Sequence, residues 1–264
     1  MKRLTTGLII ALCWLALLLS HSFALIWLVT VIISGLALHE YFTICLHANE
    51  MRIKPMAIAI GLIPFIAALS GRVDVVFAAF FIALLAGALL LFASYQGVDN
   101  GFLLLAKLCT GLALVSLSGA HLPLLMAAPH GVAWLVILTL ITIGSDTGAF
   151  YAGTTFGKTK LCPAISPGKT VEGLLGGITA SLALAVMAGT ILLPGMPILK
   201  IAVIAILVTL IGVVGDLTES VLKRSCRVKD SGTMLPGHGG VLDRIDSILA
   251  AAPAIYYLSR LDLL

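Results

Sequence analysis

The chain has 264 residues, of which 60% are hydrophobic and 11% charged, and its 16 Lys and Arg against 12 Asp and Glu leave a formal net charge of +4. Soluble domains carry about 45–50% apolar and about 25% charged residues, so composition excludes an ordinary soluble fold and a disordered chain. With a mean hydropathy of +1.15, the small positive balance reflects orientation in a membrane, and no nucleic-acid partner is expected.

A helix needs about 20 mainly apolar residues to cross about 30 Å of hydrocarbon. In chain order, residues 4–39 form an uncharged run too long for one span, divided by Ser20, His21 and Ser22 into two helices. A cleaved secretory signal would also fit Lys2-Arg3 and the apolar run behind them, but a second apolar run follows at once, so the first span is expected to be retained. Spans follow at 55–69 and 75–95. The run 108–145 folds into two, hinged around 119–131, where Pro123, Pro129 and two glycines interrupt it. Further spans at 173–193, 198–214 and 248–258 bring the total to about nine.

Alternating these spans from a cytoplasmic N-terminus puts Lys2, Arg3, Arg52, Lys54, Lys158, Lys160, Lys169, Lys223, Arg224, Arg227, Lys229 and Arg244 inside. Arg72, Lys200 and Arg260 fall outside, and Lys107 snorkels from within a span. This is the bias that orients bacterial inner-membrane proteins. The expected fold is therefore all-α and polytopic, with residues 1–140 as scaffold and 141–264 as the catalytic region of one membrane domain. The five cysteines lack CxxC spacing and read as buried thiols.

Seven of the 12 acidic residues lie between Asp146 and Asp246. From Lys200 to Asp216 a helix rises only about 24 Å, which leaves Asp216 at or just inside the cytoplasmic boundary. A carboxylate there marks a functional site by default. Asp216, Glu219, Ser220 and Lys223 share one helical face. A Glu219–Lys223 ion pair would account for Glu219 but leave Asp216 without a partner. Beyond lie Lys223, Arg224, Arg227 and Lys229, then Pro236-Gly237-His238-Gly239-Gly240, then Asp243-Arg244-Ile245-Asp246.

Hard carboxylate ligands suit Mg²⁺, which is held by one or two carboxylates together with substrate phosphates. The cations and the glycines Gly239 and Gly240 suit phosphate contact. The expected metal set is Asp216, Asp243 and Asp246; these three, Lys223 and His238 are the candidate catalytic residues. His238 is read as contacting phosphate or fixing the loop. Ser220, Arg224, Lys229, Gly239, Gly240 and Arg244 are candidate substrate contacts.

A second constellation contributes Asp146, Lys158, Ser166, Lys169 and Thr170. Gly168-Lys169-Thr170 would end a phosphate-binding P-loop, but the required first glycine falls at Pro163 and no strand is expected there. Ser166 is expected to cap a helix starting near Lys169.

The run Ser-Val-Leu-Lys-Arg at 220–224, Lys-Asp-Ser-Gly at 229–232 and Leu-Pro-Gly-His-Gly-Gly-Val-Leu-Asp-Arg-Ile-Asp at 235–246 resembles the signature of the phosphatidate cytidylyltransferases, the CDP-diacylglycerol synthases. Gly215–Ser220, Asp146-Thr-Gly-Ala, Phe156-Gly-Lys and Ser166-Pro-Gly-Lys-Thr fit in order and spacing. Thr154 and Thr159 depart from the pattern, standing where many members carry a cation and a histidine.

The resemblance implies transfer of a cytidylyl group from CTP to phosphatidate, giving CDP-diacylglycerol and pyrophosphate, with Mg²⁺ required and the identity of any second cation open. It also implies that Asp216 and Asp243 hold the metal with Asp246 beside them, that Lys223, Arg224 and Lys229 steady phosphate, and that the protein is a homodimer. The site would lie at the cytoplasmic face of the inner membrane, where a soluble nucleotide and a bilayer lipid can meet. A CTP-dependent kinase of a polyprenol or other lipid alcohol, or a transporter, are the competing readings.

Overall fold

The computed structural model describes residues 2–235, 237 and 239–261, with the side chains of 2–6, 8 and 10 left out. Among the described residues it is mainly helical, with one small hairpin and a non-helical loop between Ser225 and Leu242. In chain order the helices are α1 (Lys2–Leu19), α2 (Phe23–Cys45), α3 (Lys54–Gly61), α4 (Ile63–Ala67), α5 (Val73–Ser94), α6 (Gly101–Gly111), α7 (Ser118–Ala127) and α8 (Gly131–Phe156). The strands β1 (Lys160–Cys162) and β2 (Ser166–Thr170) follow, then α9 (Val171–Leu192), α10 (Ile198–Ser225) and α11 (Leu242–Arg260).

Among the described residues, seven helical segments are long and apolar enough to cross a membrane: Phe23–Cys45, Met51–Ser70, Val73–Gly97, Gly101–Ala127, Gly131–Phe156, Val171–Leu192 and Ile198–Ser225. The protein is thus an all-α polytopic membrane protein. The first and last of the nine expected spans correspond to α1 and α11 but are not among these seven.

Span boundaries follow local chemistry. Ser22 caps α2 by accepting the Leu25 amide, so the Ser20–Ser22 break falls where expected. The helix around Pro123 does not break there. It runs on to Ala127, and the chain turns at Ala128–His130, with His130 at φ 56°. A π-helical turn at Leu112–Leu117 precedes the proline. In the span Met51–Ser70, Pro64 interrupts the ladder between α3 and α4, and the Trp27 indole donates to the Phe65 carbonyl at 2.7 Å. Such side-chain donors satisfy backbone that a broken helix exposes to lipid.

The chain divides into two compact units, one of residues 1–127 with 226–245 and one of 128–225 with 246–264. In the first unit, Leu38, Tyr41 and Phe42 of α2 are fully buried. The Tyr41 hydroxyl donates to the Lys107 carbonyl at 2.8 Å. Lys107 pairs with the buried Glu50 at 2.6 Å, so it does not snorkel. Burial pushes the Glu50 carboxyl up, but the Lys107 ammonium and the His47 amide outweigh it and hold it below the usual carboxylate range.

In the second unit α8 and α9 cross at glycines. A Cβ on Gly148 would strike the Gly176 carbonyl oxygen and the Ala180 Cβ, and one on Gly144 would lie 3.0 Å from the Ser181 Cα. Small residues allow backbones this close in lipid, where packing replaces the hydrophobic drive. The hairpin pairs Lys160 with Thr170 and Cys162 with Ser166, a strand pair the sequence reading did not expect. The cysteines are free but not uniformly buried: Cys45 is buried, Cys13 is exposed and the other three are half-buried.

Two predictions follow from this packing. Gly148→Val should cost at least about 1–3 kcal/mol, since the obstacle is backbone, whereas Gly168→Ala, with nothing within 4 Å of its Cβ, should melt like the parent in detergent. Lys107→Met should cost about 3–5 kcal/mol by leaving Glu50 buried and unpaired. Because the folded carboxyl sits below its unfolded value of about 4.3, the pair's stability is complete above that value and is lost as pH falls through the folded one. Melting curves between neutral and acid pH read both.

Candidate metal and nucleotide site

In the second unit Asp216 and Glu219 lie one turn apart on α10, and Asp246 projects from the first turns of α11. Gly215 lets the two helices meet, since a Cβ there would run into Ala250 and come within 3.1 Å of the Asp246 carbonyl oxygen. One carboxylate oxygen from each of Asp216, Glu219 and Asp246 falls within 4.8 Å of the others. Glu219 is buried at 5% exposure, while Asp216 and Asp246 are half-buried.

Three like charges at this separation repel strongly in a medium of lowered dielectric. Two lysines offset part of that charge. Lys169 meets Asp216 at 2.6 Å, and Lys223 meets Glu219 at 2.6 Å across one helical turn. The Glu219–Lys223 pair is thus present, and Asp216 does have a protein partner, the one the sequence reading left it without. Among the described ion pairs, two ammonium groups face the three carboxylates. The donor set is all hard oxygen, which fits Mg²⁺ or a similar divalent cation.

Lys169 is delivered by the hairpin. Thr170 accepts the Gly173 amide at 3.0 Å and caps α9. This corrects the expectation for Ser166, which opens β2 instead; helix α9 begins at Val171, so its cap must sit at 170. Glu172 accepts the amides of Lys158 and Thr159 at 3.1 Å, tying the end of α8 to the start of α9. Of the two departures from the family pattern, Thr154 returns its hydroxyl to the Phe150 carbonyl at 2.7 Å, and Thr159 offers its amide to Glu172.

Beside the cluster a cleft of about 250 Å³ is lined by Asp146, Phe150, Gly168, Lys169, Thr170 and Asp216 among others. The structure thus brings together Asp146, Lys169, Thr170, Asp216 and Asp246 from two stretches of sequence 70 residues apart, the distance from Asp146 to Asp216. Lys158 is exposed, Ser220 half-buried and Arg224 exposed in the last turn of α10.

The remaining expected residues belong to the first unit. Asp243 accepts the amides of Ser231 and Gly240 on Oδ2, both at 2.9 Å. The Gly240 amide is spent on that bond. Gly239 adopts φ +85° and closes a bridge to Leu235, whose amide donates to the Gly239 carbonyl at 3.0 Å. Lys229 and Arg244 are exposed. His238 lies outside the described residues.

Sequence reasoning undervalued Glu219, whose i, i+3 spacing from Asp216 was the available signal. It passed over Glu172 and Glu40, which carry no local pattern. Lys169→Met should leave Asp216 facing two other acids, lowering the melting temperature in chelator by roughly 2–4 °C for each 1 kcal/mol lost, with Mg²⁺ restoring it. An unchanged melt in chelator would mean that the pair bears no charge load.

The sequence profile of the Cytidylyltransferase family matches residues 1–262. The chain is 42% identical over 132 residues to a phosphatidate cytidylyltransferase of Bacillus subtilis, covering 50% of this chain and 49% of that protein. It is 44% identical over 137 residues to one of Haemophilus influenzae, covering 48% and 46%, and 40% identical over 148 residues to one of Pseudomonas aeruginosa, covering 56% and 55%. The match thus spans about half the length of these relatives.

Proposed function

The chain belongs to the cytidylyltransferase family, and on that premise we propose that it transfers a cytidylyl group from CTP to phosphatidate, releasing pyrophosphate and leaving CDP-diacylglycerol in the bilayer. The observation that carries this reading is the convergence of Asp216, Glu219 and Asp246 beside a cleft lined by Lys169 and Thr170. Relatives named for the same reaction support it.

In this transfer an oxygen of the lipid phosphate forms a bond to the α-phosphorus of CTP. The bond from that phosphorus to the β-phosphate bridge breaks, and pyrophosphate carries the electron pair away. Such chemistry depends on positioning and charge more than on covalent participation by the protein. Asp216, Glu219 and Asp246 would hold Mg²⁺, which supplies charge stabilisation at phosphate oxygens. Asp243, which the resemblance also assigns to the metal, stays in the proposal, its carboxylate oriented by the two amides that Oδ2 accepts.

Lys169 balances Asp216 and would turn to substrate phosphate once a cation takes over that role. Lys223 holds Glu219 in place. Lys158, Ser166, Ser220 and Arg224 supply charge or hydroxyl contacts to phosphate; Lys229, Arg244, Gly239, Gly240 and His238 stay candidate substrate contacts on the sequence motif alone. The inner-membrane location, the cytoplasmic face and the homodimer belong to the same proposal.

Purified protein in detergent, given α-labelled CTP, phosphatidate and Mg²⁺, should move label into chloroform-extractable lipid with one pyrophosphate per lipid. Asp216→Asn and Asp246→Asn should each lower turnover by at least about 10²-fold while eluting and melting as folded proteins. Label that stays aqueous, with γ-phosphate appearing on a lipid alcohol, would identify a kinase instead.

A further inference from the structure

Glu40 lies in α2, far in sequence from every residue assigned to the site, and its side chain is 3% exposed. Its Oε2 accepts the Ser231 hydroxyl at 3.0 Å and the Leu242 amide at 2.9 Å. Its Oε1 is buried with no hydrogen-bond partner. A buried carboxylate incompletely satisfied is expensive, and a fold has no reason to keep one where a neutral side chain would pack.

The loop is built around this group. A Cβ on Gly240 would sit 2.5 Å from the Glu40 Oε2, and one on Gly232 would sit 2.7 Å from its Cδ. Ser231 and Leu242 are the two ends of the glycine loop, and Glu40 joins them. Asp243 reinforces the same closure, since Ser231 Oγ accepts the Asp243 amide at 3.3 Å while Asp243 Oδ2 takes the Ser231 and Gly240 amides. Just outside the closure stand the exposed Lys229 and Arg244, two residues before Ser231 and two after Leu242. Whatever spacing these cations need is set by Glu40.

We infer that Glu40 is a positioning residue: through Ser231 and Leu242 it clamps the base of loop 231–242 and so holds Lys229 and Arg244 in the register that receives a phosphate-bearing substrate. This inference rests on the proposed cytidylyl transfer for the identity of the substrates, CTP or phosphatidate, but not for the clamp itself. Glutamine at position 40 keeps an acceptor where Oε2 stands, and alanine does not.

The test uses the full chain in detergent with two readouts. By hydrogen exchange, Glu40→Ala should accelerate the amides of peptides covering 231–242 at least tenfold while segments elsewhere stay within twofold. Kinetically it should raise the KM of CTP or of phosphatidate at least tenfold with kcat within threefold, and the substrate affected identifies which phosphate the loop holds. Glu40→Gln should restore both readouts to within about threefold.

Exchange unchanged in 231–242, or raised evenly throughout the chain, overturns the clamp. KM unchanged for both substrates overturns the positioning role, and a Glu40→Gln variant as impaired as Glu40→Ala overturns hydrogen-bond acceptance as its basis. If Glu40→Ala does not fold, Ser231→Ala severs one arm of the clamp and should move the same readouts in the same direction. A parent protein that transfers no cytidylyl group would refute the proposed function, and the exchange result alone would then decide the clamp.

Discussion

A carboxylate near hydrocarbon has to be compensated, and three of them within 4.8 Å set the terms for the second unit of this protein. Desolvating each charge costs several kcal/mol, and mutual repulsion adds to it. The structure meets this with two lysines from different directions. Lys223 comes from the next turn of α10, and Lys169 from a hairpin between two apolar helices. The glycine-lined crossing of α8 and α9, the Thr170 cap and the Glu172 tie all serve to place that hairpin. An acidic site so assembled is one that a cation can complete.

Close approach is the second physical theme. Helices in lipid gain little from hiding apolar side chains from one another, so contact depends on how near the backbones come. Gly144 and Gly148 do this for α8 against α9, and Gly215 does it for α10 against α11. At Gly215 the consequence is chemical as well as structural, because the residue next to it is Asp216 and the backbone it approaches is that of Asp246.

Much of this was legible in the sequence. The run lengths between charges located the helices, the Ser20–Ser22 break fell where expected, and the motif from Ser220 to Asp246 pointed to nucleotide chemistry. Other features were hidden for definable reasons. A proline signals a hinge, yet the helix passes Pro123 and turns only at Ala128–His130, inside the expected 119–131. Asp216 looked unpartnered because its cation lies 47 residues earlier. Glu40 stands alone in an apolar helix, and only the folded chain shows the loop that surrounds it.

The central claim, that Asp216, Glu219 and Asp246 help to hold a divalent cation, is tested most directly by Mn²⁺ titration of the purified protein, with electron paramagnetic resonance reading the free ion. The account predicts saturable binding that Mg²⁺ displaces, lost in Asp216→Asn and Asp246→Asn. Binding unchanged in Asp216→Asn and Asp246→Asn with the protein still folded would contradict it.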